Sequence, residues 1–268
     1  MKFGISTASF FGKELTENTF EIMESLGIKG AEVFLTTYCE YENSFADLLK
    51  KKKGNVEIFS VHTLNTQFEP QLYNNAPRTF EDSARFYEKV LYCAKLLGAK
   101  EYTFHGPARL KRREYIFNYP DLAEKTSRLI GIAEKYGVEL AYENVHWAYF
   151  YMPEFIQNLK PLVPSLRTVL DIKQAMQSRI DYRKFVYAMG DSIVNLHLCD
   201  YDSNGKLFLP GRGTFDFTEF FRFMRDTGYD GFCTMELYSG DYDNYGEVKT
   251  AFEYIKECAD KAGYGIEL

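Results

Sequence analysis

The sequence predicts a single (β/α)8 barrel of the α/β class, and three observations carry this prediction. Strand-like and helical segments alternate eight times along the 268 residues. Glycine stands at the joints from helix to strand, as in LLGAKEYTF and KYGVELAYE, where helices typically end. The segment after the first strand, ISTASFFGKEL, lacks the GxGxxG turn that a doubly wound open sheet normally carries. Closure of the eight units into a TIM barrel is therefore favoured.

The predicted elements follow one another in a regular order along the chain. The eight strands are short apolar segments, expected at 2–8, 30–35, 56–62, 100–105, 138–143, 166–171, 193–199 and 231–237. The eight helices have amphipathic patterns, expected at 16–26, 43–53, 80–97, 119–136, 153–160, 181–189, 216–226 and 246–262. A longer loop, Asp200 to Phe215, interrupts this rhythm after the seventh strand, and loops of such length are often functional.

Composition narrows the class of protein. No stretch is rich in Pro, Gly or Ser, so we expect one domain over 1–268 without a linker. The formal net charge of -6 is the wrong sign for a protein whose main partner is nucleic acid. The five cysteines are odd in number and form no CxxC pair, which favours reduced core residues. No secretion signal and no long apolar span is recognisable, so we expect a cytoplasmic protein without a membrane partner.

Four predicted strands in the second half of the chain end in a side chain that can bind a metal. These are Glu143 in VELAYENVHW, Asp171 in LRTVLDIKQ, His197 in SIVNLHLCD and Glu236 in GFCTMELYSG. An ionised carboxylate left unpaired at the end of an apolar strand costs several kcal/mol. Three carboxylates and an imidazole at the rim where barrels carry their active sites therefore predict a divalent cation.

The strand ends YEN, LDIKQA, NLHLCD and TMEL, together with LPGRGTFDF, resemble the xylose isomerase-like barrel superfamily over essentially the whole chain. That superfamily contains sugar and sugar-phosphate isomerases and epimerases, as well as endonuclease IV. The resemblance implies one divalent metal ion held by Glu143, Asp171, His197 and Glu236. Mn²⁺, Zn²⁺, Co²⁺ and Mg²⁺ all suit such a ligand set.

The resemblance also implies a reaction. A metal that chelates a sugar carbonyl and the adjacent hydroxyl acidifies the proton alpha to the carbonyl and stabilises the enediolate. Glu143 and Glu236 are then the pair that removes this proton from one face and returns it from the other. The same residues serve an epimerase and an aldose-ketose isomerase, acting on a sugar or a sugar phosphate.

Further residues at the same rim are predicted to contact the substrate: His62, His105, Trp147, Lys173, Gln174 and Arg212. The alternatives for the two histidines are ligation of a second metal, as the resemblance to endonuclease IV implies, and a buried ring satisfied by backbone; for Trp147 the alternative is loop packing. Glu32 is expected to accept a hydrogen bond from substrate, to orient a neighbouring histidine, or to form a plain salt bridge. The basic segment Arg109, Lys111, Arg112 and Arg113 is interpreted as a solvated loop rather than a phosphate clamp.

Two alternative functions remain open. An endonuclease IV-like phosphodiesterase acting on abasic DNA needs more metal-binding histidines, but Gln174 and SNGKLFL occupy places where that enzyme has them. A non-catalytic sugar-binding barrel that retains its metal is the other alternative. The aromatic-rich loop 146–152 is compatible with a homo-oligomer contact as well as with a pocket.

Overall fold

A computed structural model describes residues 1–64, 67–109 and 115–265 and contains eight parallel strands closed into one barrel. Each barrel strand pairs with the next one along the chain, and the eighth closes the barrel by pairing with both the seventh and the first. The barrel strands are β1 (Lys2–Ser6), β2 (Gly30–Leu35), β3 (Glu57–Thr63), β4 (Glu101–Phe104), β5 (Glu139–Glu143), β6 (Arg167–Asp171), β7 (Ile193–Leu198) and β10 (Phe232–Met235). The predicted fold class is confirmed.

Helices cover the outside of the barrel and largely coincide with the predicted segments. They are α1 (Thr19–Ser25), α2 (Asn43–Lys52), α3 (Pro77–Leu97), α4 (Tyr119–Glu134), α5 (Pro153–Leu159), α6 (Ile172–Gln177), α7 (Tyr182–Met189), α8 (Phe217–Asp226) and α9 (Tyr245–Lys261). The prediction missed α6, because a helix of six residues is too short to display an amphipathic period. This helix begins directly after Asp171, whose carboxylate caps it by accepting the Gln174 N–H at 2.9 Å.

The long loop after β7 contains a small hairpin that the sequence did not reveal, formed by β8 (Asp200–Tyr201) and β9 (Leu207–Phe208). The buried Asp200 carboxylate fixes the rest of the loop by accepting the N–H groups of Gly211 and Gly213, each at 2.9 Å. A Cβ added at Gly213 would lie 2.3 Å from Asp200 Oδ1, so this position requires glycine. The loop therefore has a defined path against the end of the barrel.

Polar side chains fill part of the barrel interior below the rim. Thr234 Oγ1 donates to Asn195 Oδ1 at 3.0 Å, within the ring of strands. Glu101 is 1% exposed, and its Oε1 has no hydrogen-bond partner within the described residues. Burial raises the pKa of Glu101 well above its usual range, and the Glu32 carboxylate raises it further.

The raised pKa of Glu101 predicts a pH-dependent effect on stability. The Glu101 carboxyl is harder to ionise in the folded chain than in the unfolded one. Its contribution to the free energy of unfolding is therefore highest at low pH and falls as pH rises through the folded pKa of Glu101. We expect Glu101→Gln, which does not titrate, to raise the free energy of unfolding at pH 8 by about 1 kcal/mol or more. Urea denaturation at pH 5 and pH 8 measures this effect. The gain should shrink at pH 5, whereas a variant less stable than wild type at both pH values would contradict the assignment.

Candidate metal centre

The four predicted ligands meet at the carboxyl ends of their strands. Glu143 and Asp171 are the last residues of β5 and β6, His197 lies near the end of β7, and Glu236 follows β10 directly. The barrel register pairs Asp171 with His197. Each of the four side chains offers one ligand atom, and these atoms all lie within 4.8 Å of one another. The fold thus brings together residues that are up to 93 positions apart, from Glu143 to Glu236.

Asp171 carries the clearest sign that this cluster suits a cation. Its Oδ2 is buried and has no hydrogen-bond partner within the described part of the chain. Burial, with the Glu143 and Glu236 carboxylates, raises the pKa of Asp171 to about 7, against the opposing effect of the Lys173 ammonium. Oδ2 accepts no hydrogen bond from the described residues, although the Lys173 ammonium lies 3.5 Å from it. With two further carboxylates and an imidazole beside it, it fits a hard or borderline divalent ion.

His197 is oriented by carboxylates on both sides of its ring. Its Nδ1 lies 3.2 Å from Glu143 Oε1, and its Nε2 lies 3.2 Å from Glu32 Oε2. Glu32 is completely buried and also accepts the hydroxyls of Ser60 at 2.7 Å and Thr103 at 2.8 Å. Burial alone raises the pKa of Glu32, but His197 lowers it to about 2. Of its three predicted roles, Glu32 therefore has that of orienting a neighbouring histidine, because its carboxylate contacts the His197 ring.

Glu143 is the point where this cluster meets a second group of histidines. Its Oε2 lies 3.7 Å from His62 Nε2 and 3.6 Å from His105 Nε2. Burial raises the pKa of Glu143, but the hydrogen bond and charge of His197, together with the other two histidines, bring it below the usual range. His62, His105 and Glu143 form a second group whose ligand atoms lie within 4.8 Å of one another.

Glu69 is a site residue that the sequence analysis missed. It belongs to a short 3-10 turn, Glu69–Tyr73, and its side chain is completely buried. Its Oε2 lies 3.1 Å from His105 Nδ1 and accepts the backbone N–H of His105 at 3.2 Å. The hydroxyls of Thr63 and Tyr102 donate to Oε1. The available signal was indirect: a histidine at a strand end commonly has a carboxylate partner, but Glu69 lies 36 positions from His105 in the sequence.

A cavity of about 320 Å³ opens above the cluster. It is lined by five of the six predicted substrate contacts, namely His62, His105, Trp147, Lys173 and Gln174, together with Glu143 and Glu236. Apolar walls come from Phe34, Leu237 and Tyr238. Such a mixture of apolar walls and convergent polar groups is typical of a site for a small molecule.

Arg212 departs from its predicted place. Its side chain is half exposed, does not line the cavity, and donates to Glu247 Oε1 of α9 at 2.7 Å. The physical reason is the path of the loop, since Asp200 fixes the glycines on either side of Arg212 and turns that residue towards α9. We therefore leave Arg212 out of the candidate site.

The basic segment after β4 is only partly described. The Arg109 guanidinium lies over the Tyr151 ring, 3.5 Å from its centroid, and donates to the His146 carbonyl. Lys111, Arg112 and Arg113 lie outside the described residues. Gln174 contacts the same residue, His146. Its Oε1 accepts the His146 backbone N–H at 3.2 Å and lies 2.7 Å from the ring nitrogen Nδ1 of His146. Arg109 and Gln174 therefore both hold the loop that follows Glu143.

The fold and the cluster together define a barrel with a candidate metal centre at the carboxyl ends of its last four strands. Residues 20–258 match the xylose isomerase-like TIM barrel family, and the chain belongs to this family. No helix among the described residues has the length and apolar character needed to cross a membrane.

Individual relatives are more distant. Fructoselysine 3-epimerase of Escherichia coli O157:H7 is 30% identical over 125 residues, which cover 43% of this chain and 44% of that enzyme. The match thus spans less than half the length of this curated relative. A D-tagatose 3-epimerase-like protein has a TM-score of 0.79 at 19% identity, covering 98% of both chains. The IolI protein, crystallised with a zinc atom, has a TM-score of 0.77 at 16% identity and covers 100% of both chains. These two structural likenesses show the shared fold.

Proposed function

We propose that this chain is a divalent-metal-dependent isomerase or epimerase of a sugar or sugar phosphate. The observation that carries the proposal is the four-residue cluster, of which Glu143 and Glu236 line the cavity and Asp171 has an oxygen atom, Oδ2, that accepts no hydrogen bond within the described residues. The partial similarity to fructoselysine 3-epimerase supports the same class of reaction.

Glu143, Asp171, His197 and Glu236 are the residues that would hold one Mn²⁺, Zn²⁺, Co²⁺ or Mg²⁺ ion. When bound there, such an ion supplies positive charge that acidifies the proton alpha to a sugar carbonyl. The structurally similar IolI protein was crystallised with a zinc atom, which supports a metal in a barrel of this kind. Glu32 keeps the His197 ring in place for the same purpose.

Glu143 and Glu236 are the proposed acid/base pair. They come from β5 and from the end of β10, with two strands between them in the barrel. The surrounding histidines bring the pKa of Glu143 below its usual range. Burial raises the pKa of Glu236, but Lys173 and His197 lower it. In the reaction, one carboxylate in its ionised form would accept the alpha proton, while the other, which first takes up a proton from solvent, would donate that proton to the opposite face, so the two residues exchange protonation states.

His62 and His105 are proposed to bind substrate hydroxyls in different protonation states. Burial, together with the neighbouring His105, lowers the pKa of His62. Burial also acts to lower the pKa of His105, but Glu69 raises it above the usual value. A charged His105 donates a hydrogen bond from Nε2. A neutral His62 donates from Nδ1 to the Thr103 carbonyl at 2.9 Å, so its Nε2 offers an acceptor.

Glu69 contacts His105 and raises its pKa, so it supports the different protonation states proposed for His62 and His105. Replacement of Glu69 should therefore impair the site. We expect Glu69→Leu to lower the exchange activity by roughly 10- to 100-fold, as is typical when the carboxylate partner of a functional histidine is lost. Glu81→Leu, on the exposed side of α3, is the control for adding a leucine. Nitrogen NMR of the His105 ring should report a changed tautomer or charge in Glu69→Leu. Wild-type activity and an unchanged His105 signal would exclude this role.

The experiment that tests the function is solvent exchange at the alpha carbon. The metal-loaded protein is incubated in deuterated water with a panel of ketoses, aldoses and their phosphates, and proton NMR follows deuterium incorporation. An epimer or an isomer should accumulate with one member of the panel and identify the reaction. A fully metal-loaded protein that exchanges no proton in any of these sugars would exclude the proposal for this substrate class.

A second candidate function is that of a phosphodiesterase. One observation favours it, because a second group of side chains could hold another metal ion: His62, His105 and Glu143. Among the described residues that line the cavity, Lys173 carries the one ammonium or guanidinium group, and carboxylates already pair with it. Cleavage of abasic-site DNA at low protein concentration would favour this candidate.

A sugar that binds tightly and never exchanges its alpha proton would instead favour a non-catalytic barrel.

We further propose a small-molecule sugar as the partner rather than nucleic acid. The net charge of -6 supports this choice. Cytoplasmic location and a homo-oligomeric assembly remain predictions from the sequence.

A further inference from the structure

Lys173 places a positive charge inside the candidate metal centre. It is the second residue of α6, and its side chain is only 6% exposed. Its Nζ lies 2.6 Å from Glu236 Oε2 and 3.5 Å from Asp171 Oδ2. Two of the four proposed metal ligands therefore already share an internal cation.

The surroundings of Lys173 keep it in this position. Asp171 caps α6, so the backbone of Lys173 is fixed within one turn of the carboxylate that its ammonium faces. The ring of Tyr238 covers the ammonium, with its centroid 5.2 Å from Nζ. A buried lysine can stay charged when carboxylates surround it in this way.

We propose that Lys173 is the built-in counter-ion of the metal centre, which stabilises the metal-free site and weakens its affinity for a divalent cation. The proposal rests on the metal centre described under the proposed function. It concerns a competition between two cations for the same carboxylates.

The competition follows from charge and from lone pairs. In the metal-free chain, the ammonium reduces the repulsion between Glu236 and Asp171, which would otherwise be two buried like charges. A divalent ion at the same carboxylates meets the repulsion of the ammonium at short range in a poorly solvated site. The divalent ion must therefore either displace the Lys173 ammonium from Glu236 or bind beside it. Each of these costs free energy and lowers the affinity of the site for the ion.

The test compares Lys173→Met with wild type, because methionine keeps the length of the side chain without its charge. Isothermal titration of the metal-stripped proteins with Mn²⁺ should give a dissociation constant at least roughly 10-fold lower for Lys173→Met. Thermal unfolding should show a lower Tm for the metal-free variant and a larger increase on adding Mn²⁺. Lys173→Gln serves as a second variant if Lys173→Met does not fold.

Lys206→Met is the matched control, since this exposed lysine lies over Phe208 and outside the cluster. It should bind Mn²⁺ as wild type does. Equal or weaker Mn²⁺ binding by Lys173→Met and Lys173→Gln would overturn the inference while leaving the metal centre intact. Absence of Mn²⁺ binding in wild type and in both variants would overturn the metal centre and this inference together. Mn²⁺ binding by the two Lys173 variants but not by wild type would support the inference, because the lysine would then prevent metal binding altogether.

Discussion

Glu143→Gln and Glu236→Gln are each expected to lower exchange of the alpha proton by at least about 100-fold, the usual effect of removing a general acid or base. Each substitution keeps the shape of the side chain but removes the carboxylate that accepts the proton. Epimerisation or isomerisation needs both carboxylates, so either variant alone should abolish net turnover. Deuterium incorporation measured by NMR reports the two half-reactions separately.

The two variants should be compared with Glu139→Gln at the opposite end of β5. Glu139 is exposed and pairs with Arg167 on the surface at 3.0 Å, so its loss should leave exchange unchanged. Metal content must be measured for every variant, because Glu143 and Glu236 are also proposed ligands. Full exchange in Glu143→Gln or Glu236→Gln with metal bound would eliminate that residue as an acid/base group.

Removal of the metal is the second change with a large expected effect. Dialysis against a chelator should lower exchange by at least about 100-fold, since several kcal/mol of charge stabilisation at the alpha carbon are lost. Stability should fall as well, because a ligand present at 100 times its dissociation constant contributes about 2.7 kcal/mol to the folded state. Addition of Mn²⁺, Zn²⁺, Co²⁺ or Mg²⁺ in turn should restore both and identify the preferred ion.

A thermal scan run in parallel separates loss of the metal from loss of the fold. The metal-free chain should remain folded at 25 °C, because Lys173 compensates part of the charge at Glu236 and Asp171. Undiminished exchange in a folded sample with less than about one tenth of a metal ion per chain would rule out metal dependence.

The barrel and the clustering of four metal-capable side chains were predictable because both follow from local sequence signals. Glycines mark the ends of helices, and short apolar segments mark the strands, so the alternation of eight units is visible without tertiary information. A parallel barrel then places all strand ends at one rim. Glu143, Asp171, His197 and Glu236 needed no other information to be grouped, and the structure places their ligand atoms within 4.8 Å of one another.

The features that escaped prediction depend on contacts distant in sequence or on short elements. Glu69 meets His105 across 36 positions, and nothing in the segment around Glu69 points to that partner. Helix α6 is too short for a periodic signal, although it sets the direction of Lys173. Arg212 was misplaced because the path of its loop depends on Asp200, whose bonds to Gly211 and Gly213 are not encoded in the local pattern.

The most direct test of the metal centre is anomalous diffraction from a crystal of the protein loaded with Mn²⁺ or Co²⁺. We predict one strong anomalous peak per chain, within coordinating distance of Glu143, Asp171, His197 and Glu236. Absence of a peak at these four residues, or a peak held only by His62 and His105, would contradict the central claim.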